Sequence, residues 1–481
     1  MFGDYVLKAT SAIYDERILF IDDDNLDEKT HYSEDFSTHG YEVVRYQDDL
    51  SFRIKYAEKL DEGKLIVIAH SDDYVPYDIQ SKLRTYRLSL SDLFPALNVE
   101  VLRERSQLDF DLLCLAYSRN FEQLNRRKQT EEFLTRTAYG KDNVAEYLQN
   151  QMLVLKSKVR MAKKYSDWFD IAEMKASVDV LAAKYGIDID TSTMNAPFKD
   201  YILTQFGKLS SEITRESPVL VSRAMEYMSD WSDKFVIIVM DGMSEFDWKI
   251  LSTSFDGIEY RQVAAFAMIP TTTSISRQCL LSNKYPVQLI EPWKQSKEKA
   301  EFIACAKNLG YSDGQIGYAR GYDAEFSSVV RCAAVIINDI DDMVHGQQQG
   351  RLGMYHDVSL LAAQKKLATT VKRFQNSGYD VYISADHGNT NCVGLGRLMG
   401  TGMEVETKSH RMVVLQDFAD KDKLIRQYGL IEYPKFYMDK KYDYLICDTG
   451  ESFDAKGETV MTHGGISIDE VVVPFIEIKA V

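Results

Sequence analysis

The sequence lacks long apolar runs, and none approaches the roughly 20 residues that a membrane-spanning helix needs. Its first residues, MFGDYVLKATSAIYDERILF, also lack a basic segment followed by an apolar one, which is the pattern of a secretory signal peptide. These two absences favour a cytoplasmic protein without membrane contact.

Cysteine is scarce and scattered. None of the six cysteines belongs to a CxxC pair or a paired spacing; they are Cys114, Cys279, Cys305, Cys332, Cys392 and Cys447. We therefore expect neither a disulfide framework nor a thiolate zinc site.

An excess of positive charge is missing as well. The formal net charge of −16 argues against a protein whose whole surface attracts nucleic acid. A local basic track stays possible between residues 125 and 165, which contain Arg126, Arg127, Lys128, Lys156, Lys158, Arg160, Lys163 and Lys164. The alternative is a solvated helix face, the commoner meaning of a charge run.

The chain of 481 residues is too long for one compact core, and its 45% hydrophobic content is that of a globular protein. Residues 1–100 alternate strand-like pieces (ERILFIDDD, YEVVRY, KLIVIAHSDD) with helix-like ones, which predicts a small α/β domain. Residues 101–231 show helical periodicity with little proline, which predicts a helical domain, and Gly186 is a plausible helix C-cap. Residues 232–481 alternate strands (FVIIVM, AAVIIN, YDVYISA, DEVVVPFIEI) and helices, which predicts a doubly wound α/β domain.

The opening ILFIDDD followed by GYEVV also resembles a response-regulator receiver domain. Such a domain needs a phosphoacceptor aspartate after its third strand. The segment KLIVIAHSDDYVPYD offers only Asp72 or Asp73, without the usual surrounding turn.

Polar side chains of one kind follow several predicted strands of the last domain. Asp241 follows FVIIVM, Asp341 and His345 follow AAVIIN, and Asp386 and His387 follow YDVYISA, while His463 precedes the last strand. Carboxylates and imidazoles suit divalent metals such as zinc, and the carboxyl ends of parallel strands are where such sheets bind ligands.

Each of these signals has a plainer explanation when taken alone. Asp241 could cap a helix, Asp341 and His345 could form an ion pair on one helical turn, and Asp-His-Gly is a common turn composition. However, three of only eight histidines fall at these places, so the joint pattern is stronger than its parts.

The segment PTTTSISR offers a nucleophile. Pro270 ends an extended segment, Thr271, Thr272 and Thr273 form the turn, and a helix follows. A threonine there ordinarily caps the helix, but the same helix N-terminus can also bind a phosphate. A threonine alkoxide needs a cation near neutral pH, so a threonine beside a metal is a coherent nucleophile.

The motifs VMDGM, PTTTSISR, DIDDMVHG, ADHGN and THGGISIDEVVVPF, in this order, resemble the PglZ domain of the alkaline phosphatase superfamily. The resemblance covers about 232–481. The stretch SLSDLFPALNVEVLRERSQLDFD is similar to the N-terminal region of PglZ proteins from BREX phage-defence systems, and PglZ proteins with a receiver-like front end are known as regulators.

The resemblance implies an alkaline-phosphatase-like fold with two divalent metal ions, zinc being the expected ion. Position by position, the ligands of one ion would be Asp241, Thr273, Asp386 and His387, and those of the other would be Asp341, His345 and His463. Thr273 is preferred over its two neighbours because the family places its nucleophile three residues after the proline.

The implied function is a metal-dependent phosphoric ester hydrolase in which Thr273 attacks phosphorus in line and a phosphothreonine forms. A phosphodiesterase acting on nucleotides or nucleic-acid ends, in phage defence or a related regulatory system, is favoured over a phosphomonoesterase. The alternative from another class is a metal-binding scaffold without catalysis in a multiprotein defence or signalling complex.

Further residues carry weaker predictions. Arg277 could reach a phosphoryl oxygen or be an exposed helix arginine, and Asn391 could bond near the metals or only form a turn. Residues 283–330 are expected to form a cap insertion that shapes the substrate pocket, in which Tyr318, Arg320 and Tyr322 could clamp a nucleotide.

Overall fold

The computed structural model describes residues 1–30, 32–105, 108–120, 122–398, 403–405, 410–416 and 418–481, with only the backbone of residues 34, 38 and 403–405. The chain forms two compact units, Met1–Gln149 and Asn150–Val481. The first part of the predicted helical segment thus lies in the N-terminal unit, and the rest lies in the C-terminal unit.

The N-terminal unit is built on a four-stranded parallel sheet with the order β2-β3-β1-β4. Its strands are β1 (Arg17–Asp22), β2 (Glu42–Arg45), β3 (Leu65–His70) and β4 (Arg84–Leu88). Its helices are α1 (Phe2–Ala9), α2 (Leu26–Thr30), α3 (Asp49–Tyr56), α4 (Tyr77–Gln80), α5 (Leu90–Leu93), α6 (Val99–Glu104), α7 (Phe110–Tyr117) and α8 (Arg127–Phe133). The small α/β domain expected from the sequence is therefore present in this unit.

The strand order does not support the resemblance to a receiver. Receivers place β1 between β2 and β3, whereas here β3 lies between β2 and β1. Asp73 accepts a hydrogen bond from the backbone N–H of His70 at 2.7 Å, which gives it a turn-forming role. Asp22 likewise accepts N–H groups of Leu26 and Asp27, at 2.9 and 2.8 Å, at the start of α2.

The C-terminal unit contains the remaining strands. They are β5 (Val219–Leu220), β6 (Phe235–Met240), β7 (Arg261–Phe266), β8 (Ile316–Arg320), β9 (Cys332–Ile337), β10 (Asp380–Ser384), β11 (Thr390–Gly394), β12 (Met403–Val405), β13 (Met412–Leu415), β14 (Ile431–Glu432), β15 (Asp443–Ile446), β16 (Glu451–Ser452), β17 (Thr459–Thr462) and β18 (Val472–Ile478).

Seven of these strands form the main sheet, in the order β5-β7-β18-β10-β6-β9-β8. All are parallel except β18, which is antiparallel to both of its neighbours. Every residue of β6 and β9 is buried, as expected for strands covered on both faces. The predicted strands FVIIVM, AAVIIN and YDVYIS are thus confirmed, and the structure places them side by side at the centre of the sheet.

The remaining helices run from α9 to α20 in chain order. They are α9 (Lys141–Met161), which contains the boundary between the units, α10 (Tyr165–Tyr185), α11 (Asn195–Gln205), α12 (Ala224–Trp231), α13 (Glu245–Leu251), α14 (Thr273–Ser282), α15 (Glu298–Asn308), α16 (Asp339–Gly346), α17 (Gly350–Ala363), α18 (Lys366–Asn376), α19 (Lys421–Tyr428) and α20 (Ile468–Val471). Gly186 ends α10 at a φ of 58°, which confirms the predicted C-cap.

Two smaller sheets, β16-β11-β17 and β12-β13-β15-β14, lie in the same unit. Residues 283–330, expected as a cap insertion, contain β8, which pairs with β9 as the edge strand of the main sheet. That part of the segment is built into the sheet rather than into a separate cap. Among the described helices, none has the length and apolarity needed to cross a membrane.

Candidate active site

Three adjacent strands deliver their polar residues to one edge of the main sheet. β6 leads into Asp241, β9 leads into Asp341 on α16, and β10 leads into Asp386 and His387. β6 is parallel to both neighbours, so these three strands end at the same edge. His463 joins them from the segment between β17 and α20.

The five side chains form one cluster, made of Asp241, Asp341, Asp386, His387 and His463. Ligand atoms of Asp241, Asp386 and His387 lie within 4.8 Å of one another, and so do those of Asp341, His387 and His463. We call these the first and second ligand groups. His387 belongs to both, so the two groups are contiguous.

His345 lies at the rim of the second group. Its Nε2 is 3.4 Å from Asp341 Oδ2, and its ring centre is 5.5 Å from that of His463. Its side chain is 47% exposed, whereas His463 is buried. The i,i+4 spacing on α16 thus brings His345 beside the cluster from the open side.

The three threonines before α14 have different surroundings. Thr271 Oγ1 donates to Gly465 O at 2.9 Å and accepts from Gly464 N at 3.0 Å, so it holds the THGG turn. Thr272 Oγ1 lies 3.5 Å from Ser274 Oγ. Thr273 Oγ1 lies 3.1 Å from His387 Nε2 and 3.5 Å from Asp241 Oδ1, so its hydroxyl is the one at the cluster.

The hydrogen bonds of two imidazoles define which nitrogen faces the cluster. His463 Nδ1 is 2.9 Å from Thr271 O, and His387 Nδ1 is 3.0 Å from Gly388 O. A carbonyl oxygen can only accept, so Nδ1 carries the hydrogen in both rings. In each ring Nε2 therefore presents a lone pair to the cluster, as metal-binding imidazoles do.

Arg277 is buried behind the first ligand group. Its Nη1 donates to Asp241 Oδ2 at 2.5 Å, and its Nε donates to Glu298 Oε2 at 2.6 Å. The alternative that Arg277 is an exposed helix arginine is therefore wrong. Its Nη2 has no hydrogen-bond partner among the described residues, which leaves one nitrogen of the guanidinium without an acceptor.

The first ligand group contains two buried carboxyls, and burial disfavours their ionised forms. Burial and the nearby carboxylate of Asp386 raise the pKa of Asp241 well above its usual value, against the opposing effect of Arg277. Burial also raises the pKa of Asp386 to about 6. A cation bound between these oxygens would relieve both penalties.

The second ligand group is balanced differently. Burial opposes ionisation of Asp341, but the hydrogen bond with His345 and the electrostatic interactions with His463 and His387 outweigh it and lower the pKa of Asp341. Burial and the neighbouring imidazole of His387 lower the pKa of His463 to about 3. His463 is therefore neutral at pH 7, the form that binds metals.

Three buried atoms of the cluster have no hydrogen-bond partner among the described residues. They are Asp341 Oδ1, Asp386 Oδ2 and His463 Nε2. An unpaired buried polar atom is costly, and such atoms are uncommon in native proteins. Two carboxylate oxygens and one imidazole lone pair facing one another are a donor set that fits divalent cations, zinc included.

Comparison with known proteins identifies the family. The family model described as the BREX system PglZ alkaline phosphatase-like domain matches residues 223–478, more than half of the chain. The chain belongs to the PglZ family. No curated protein sequence matches it significantly.

Solved structures with a similar fold include two ectonucleotide pyrophosphatase/phosphodiesterases 5. The murine protein has 12% sequence identity and a TM-score of 0.36, covering 50% of this chain and 87% of that one. The human protein has 15% identity and a TM-score of 0.37, covering 51% and 87%. A phosphonoacetate hydrolase from Sinorhizobium meliloti has 10% identity and a TM-score of 0.31, covering 51% and 90%.

The PglZ domain contains supporting residues that the sequence analysis missed. Asn389 is buried, and its Nδ2 donates to Gly242 O at 2.9 Å and to Asp247 Oδ2 at 2.6 Å, which fixes the turn after Asp241. The predicted residue, Asn391, is exposed on β11, where its Oδ1 lies against Gly350. The ADHGN motif was the available signal, because Asn389 lies within it and Asn391 follows it.

A buried ion pair supports the THGG turn of the PglZ domain. Glu470 Oε1 accepts the N–H of Gly465 at 2.8 Å, and Glu470 Oε2 bonds to the guanidinium of Arg411. A Cβ added at Gly465 would lie 2.6 Å from Arg411 Cζ, so only glycine fits between them. The SIDE sequence, a capping-box pattern, signals Glu470, whereas Arg411 has no local signal.

The DHG turn of the PglZ domain is packed against a second buried network. A Cβ added at Gly388 would lie 1.9 Å from the carbonyl oxygen of Asp469, so the two backbones are in close contact. Lys175 Nζ lies 2.8 Å from both carboxylate oxygens of Asp469 and 2.8 Å from Asp179 Oδ2. Arg351 Nη2 donates to Asp469 Oδ2 at 3.1 Å.

The three residues proposed to clamp a nucleotide have protein partners. Tyr318 OH donates to Glu298 Oε1 at 2.5 Å, Arg320 pairs with the same carboxylate, and Tyr322 OH donates to Asp339 Oδ2 at 3.0 Å. Glu298 thus connects Tyr318 and Arg320 to Arg277.

Proposed function

We propose that the chain is a metal-dependent phosphoester hydrolase that uses Thr273 as its nucleophile, with phosphodiesters as the favoured substrates. The observation that carries this proposal is the position of the Thr273 hydroxyl, 3.1 Å from His387 Nε2 at a buried cluster with three unpaired ligand atoms. The membership in the PglZ family supports the same reaction class.

The proposed ion ligands are Asp241, Thr273, Asp386 and His387 at one position and Asp341, His345 and His463 at the other. The mixed oxygen and nitrogen ligands favour zinc. Two divalent cations, when bound, would supply the positive charge that activates a hydroxyl and offsets charge on phosphoryl oxygens.

The residues of the chain have separate tasks in this reaction. Thr273 is the first residue of α14, and among the described residues the backbone N–H groups of Thr273 and Ser274 have no backbone partner. They are free to donate to a phosphoryl oxygen at the helix N-terminus. Arg277 Nη2 is the proposed side-chain donor, because Nε and Nη1 already donate to Glu298 and Asp241.

His387 and the carboxylate of Asp241 hold the Thr273 hydroxyl in place before it attacks phosphorus. The attack forms the Thr273 Oγ–P bond as the bond from phosphorus to the leaving oxygen breaks, and the hydroxyl proton is released to solvent. The phosphothreonine that forms keeps the second ester group of a diester substrate. Water then attacks this phosphorus and restores the threonine. We place this activity in phage defence or a related regulatory system, because the matching family model is that of the BREX system.

The test compares bis-p-nitrophenyl phosphate with p-nitrophenyl phosphate, with and without a chelator, for wild type, Thr273→Ala and Thr272→Ala. We expect diester turnover that the chelator abolishes and that Thr273→Ala lowers by at least about a thousandfold. Thr272→Ala should stay near wild type, because the Thr272 hydroxyl does not contact the cluster.

Other outcomes select other functions. A preference for the monoester would make the chain a phosphomonoesterase. Tight metal binding without turnover of either ester would favour the scaffold. Equal losses in Thr272→Ala and Thr273→Ala would refute the assignment of Thr273.

A further inference from the structure

The end of α9 and the segment after it form an exposed basic surface. It consists of Lys156, Lys158, Arg160, Lys163 and Lys164, all of which are exposed. We call it the basic segment. In a chain with a formal net charge of −16, five cations within nine residues are a strong local reversal of charge.

The cations of the basic segment differ from several other exposed cations of the chain in their partners. Among the described residues, none of the five side chains forms an ion pair. Several exposed arginines elsewhere are paired, for example Arg119 with Glu146 and Arg127 with Glu104. The nearby Asp167 uses its Oδ2 to accept the backbone N–H groups of Lys163 and Lys164, at 2.7 and 2.9 Å, and the charges of Lys164 and Lys158 help to lower the pKa of Asp167.

Helix stability explains only part of this arrangement. Cations in the last turn of α9, Lys158 and Arg160, interact favourably with the helix dipole. Lys163 and Lys164 lie after the end of α9 and directly before the N-terminus of α10, where the dipole disfavours positive charge. Their charge therefore calls for an anionic partner.

The basic segment is connected to the strand that leads to the threonine turn. Lys164 precedes α10, whose first turns contain Phe169. The ring centre of Phe169 lies 4.9 Å from that of Phe266, the last residue of β7. β7 continues through Pro270 to Thr273, so α10 fixes the basic segment to the element that carries the proposed nucleophile.

We propose that the basic segment binds the phosphate backbone of a nucleic-acid strand and so holds a polymeric phosphodiester for hydrolysis. The inference rests on the proposed function for its choice of a phosphodiester, and the charge complementarity of unpaired cations supports it. A polyanion replaces the counterions of all five cations at once, whereas a single small anion engages one or two.

A membrane surface fits the segment less well. The apolar side of α9 in this region is already used by the protein, since Leu155 and Val159 are 0% and 8% exposed. Leu153 and Met161, at 66% and 65%, are the large apolar side chains left exposed near the cations, together with Val154. They are too few for the continuous apolar face of an interfacial helix.

The experiment measures binding without hydrolysis. Fluorescein-labelled single-stranded DNA of about 20 nucleotides, a length that spans one single-strand binding site, is titrated with the Thr273→Ala protein in EDTA. We expect Lys156→Gln/Arg160→Gln to weaken binding about tenfold at low salt. The slope of log affinity against log salt should fall by about 1.4, since each lost phosphate contact contributes about 0.7 for single strands.

Lys423→Gln/Arg426→Gln is the matched control. Both residues are exposed on α19, and Arg426 Nε donates to Asp422 O at 3.2 Å much as Arg160 Nε donates to Lys156 O at 3.3 Å. The control should bind DNA like the parent protein. Circular dichroism spectra verify that both double variants fold.

Three results would overturn the inference: no DNA binding at low salt, equal losses in the control, or α9-dependent binding to phosphatidylserine vesicles in place of DNA. The proposed function is tested separately, by measuring the hydrolysis of bis-p-nitrophenyl phosphate by the protein that retains Thr273. Lys156→Gln/Arg160→Gln should leave that hydrolysis unchanged, because neither residue belongs to the ligand groups of the cluster.

Discussion

Glu245 is a buried residue whose carboxyl lies outside the ligand cluster. It begins α13 and borders a cavity of about 200 Å³ that Glu173, Glu216 and Arg261 also line. Gln262 Nε2 donates to Glu245 Oε2 at 2.9 Å, and Trp248 Nε1 donates to Gln262 Oε1 at 3.1 Å, so the amide is held in one orientation. Burial and the charge of Glu173 raise the pKa of Glu245 to about 8.

This carboxyl should make stability depend on pH. Its folded pKa of about 8 exceeds the ordinary value of 4.5, so its contribution is complete below pH 4.5 and is lost as pH rises through 8. The loss is up to about 1.4 kcal/mol per pH unit between these values. Thermal melts of wild type and Glu245→Gln from pH 5 to 9 should therefore show a smaller decline for the variant.

The exposed Glu259 provides the control, and Glu259→Gln should keep the wild-type pH profile. Gln at position 245 retains an oxygen that accepts from Gln262, so the hydrogen bond is preserved. A wild-type profile for Glu245→Gln would show that the carboxyl is ionised in the folded protein at neutral pH.

Among the elements, α10 supports the candidate site although it lies outside residues 223–478, which match the PglZ family model. It contributes Lys175 and Asp179 to the buried network with Asp469 and Arg351. Asp469 in turn contacts Gly388, which is adjacent to His387. The helical segment before the matched domain therefore supports the position of the DHG turn.

Removing the ammonium group of Lys175 from this network should lower the free energy of unfolding. In Lys175→Met, Asp179 and Asp469 would keep only Arg351 as a counter-charge, and breaking a buried ion pair costs about 3–5 kcal/mol. Urea unfolding of the C-terminal unit should show this loss. Lys184→Met makes the same change at an exposed position of the same helix and should cost less than about 0.5 kcal/mol. Equal midpoints for the two variants would contradict the role given to Lys175.

The central elements were predictable because their signal is local. β6, β9 and β10 are buried strands with continuous apolar sequences that end in carboxylates, and the i,i+4 pair Asp341 and His345 does lie on one helix. The contact of Arg411 with Glu470 was not predictable, because 59 residues separate the partners. The same holds for Lys175 and Asp469, which are 294 residues apart.

At the scale of the whole molecule, the cluster concentrates negative charge inside an already acidic chain. Asp241 and Asp386 are buried close together, with Arg277 as the guanidinium that offsets them. Their raised pKa values mean that ionising them without a cation destabilises the folded C-terminal unit. Bound divalent ions should therefore be a large part of the stability of this unit.

This balance predicts that the effect of Asp386→Asn on the melting temperature changes sign when zinc is added. In EDTA at pH 7.5, Asp386→Asn should melt above wild type, because it removes a repelling carboxylate. With excess zinc it should melt below wild type, because occupancy at 100 times the dissociation constant adds about 2.7 kcal/mol to a protein with intact ligands.

Asp313→Asn, at an 80% exposed position, should be neutral under both conditions. Differential scanning calorimetry measures all three proteins. The same order of melting temperatures with and without zinc would exclude Asp386 as a ligand.

The contact between Lys175 and Asp469 also limits how the matched domain can be isolated. A fragment cut at residue 223 would leave α10 behind and expose Asp469 with Arg351 as its sole remaining cation from this network. Fragments meant for crystallisation or for fusion to other proteins should therefore start before Tyr165, so that the matched domain keeps the helix that supports its DHG turn.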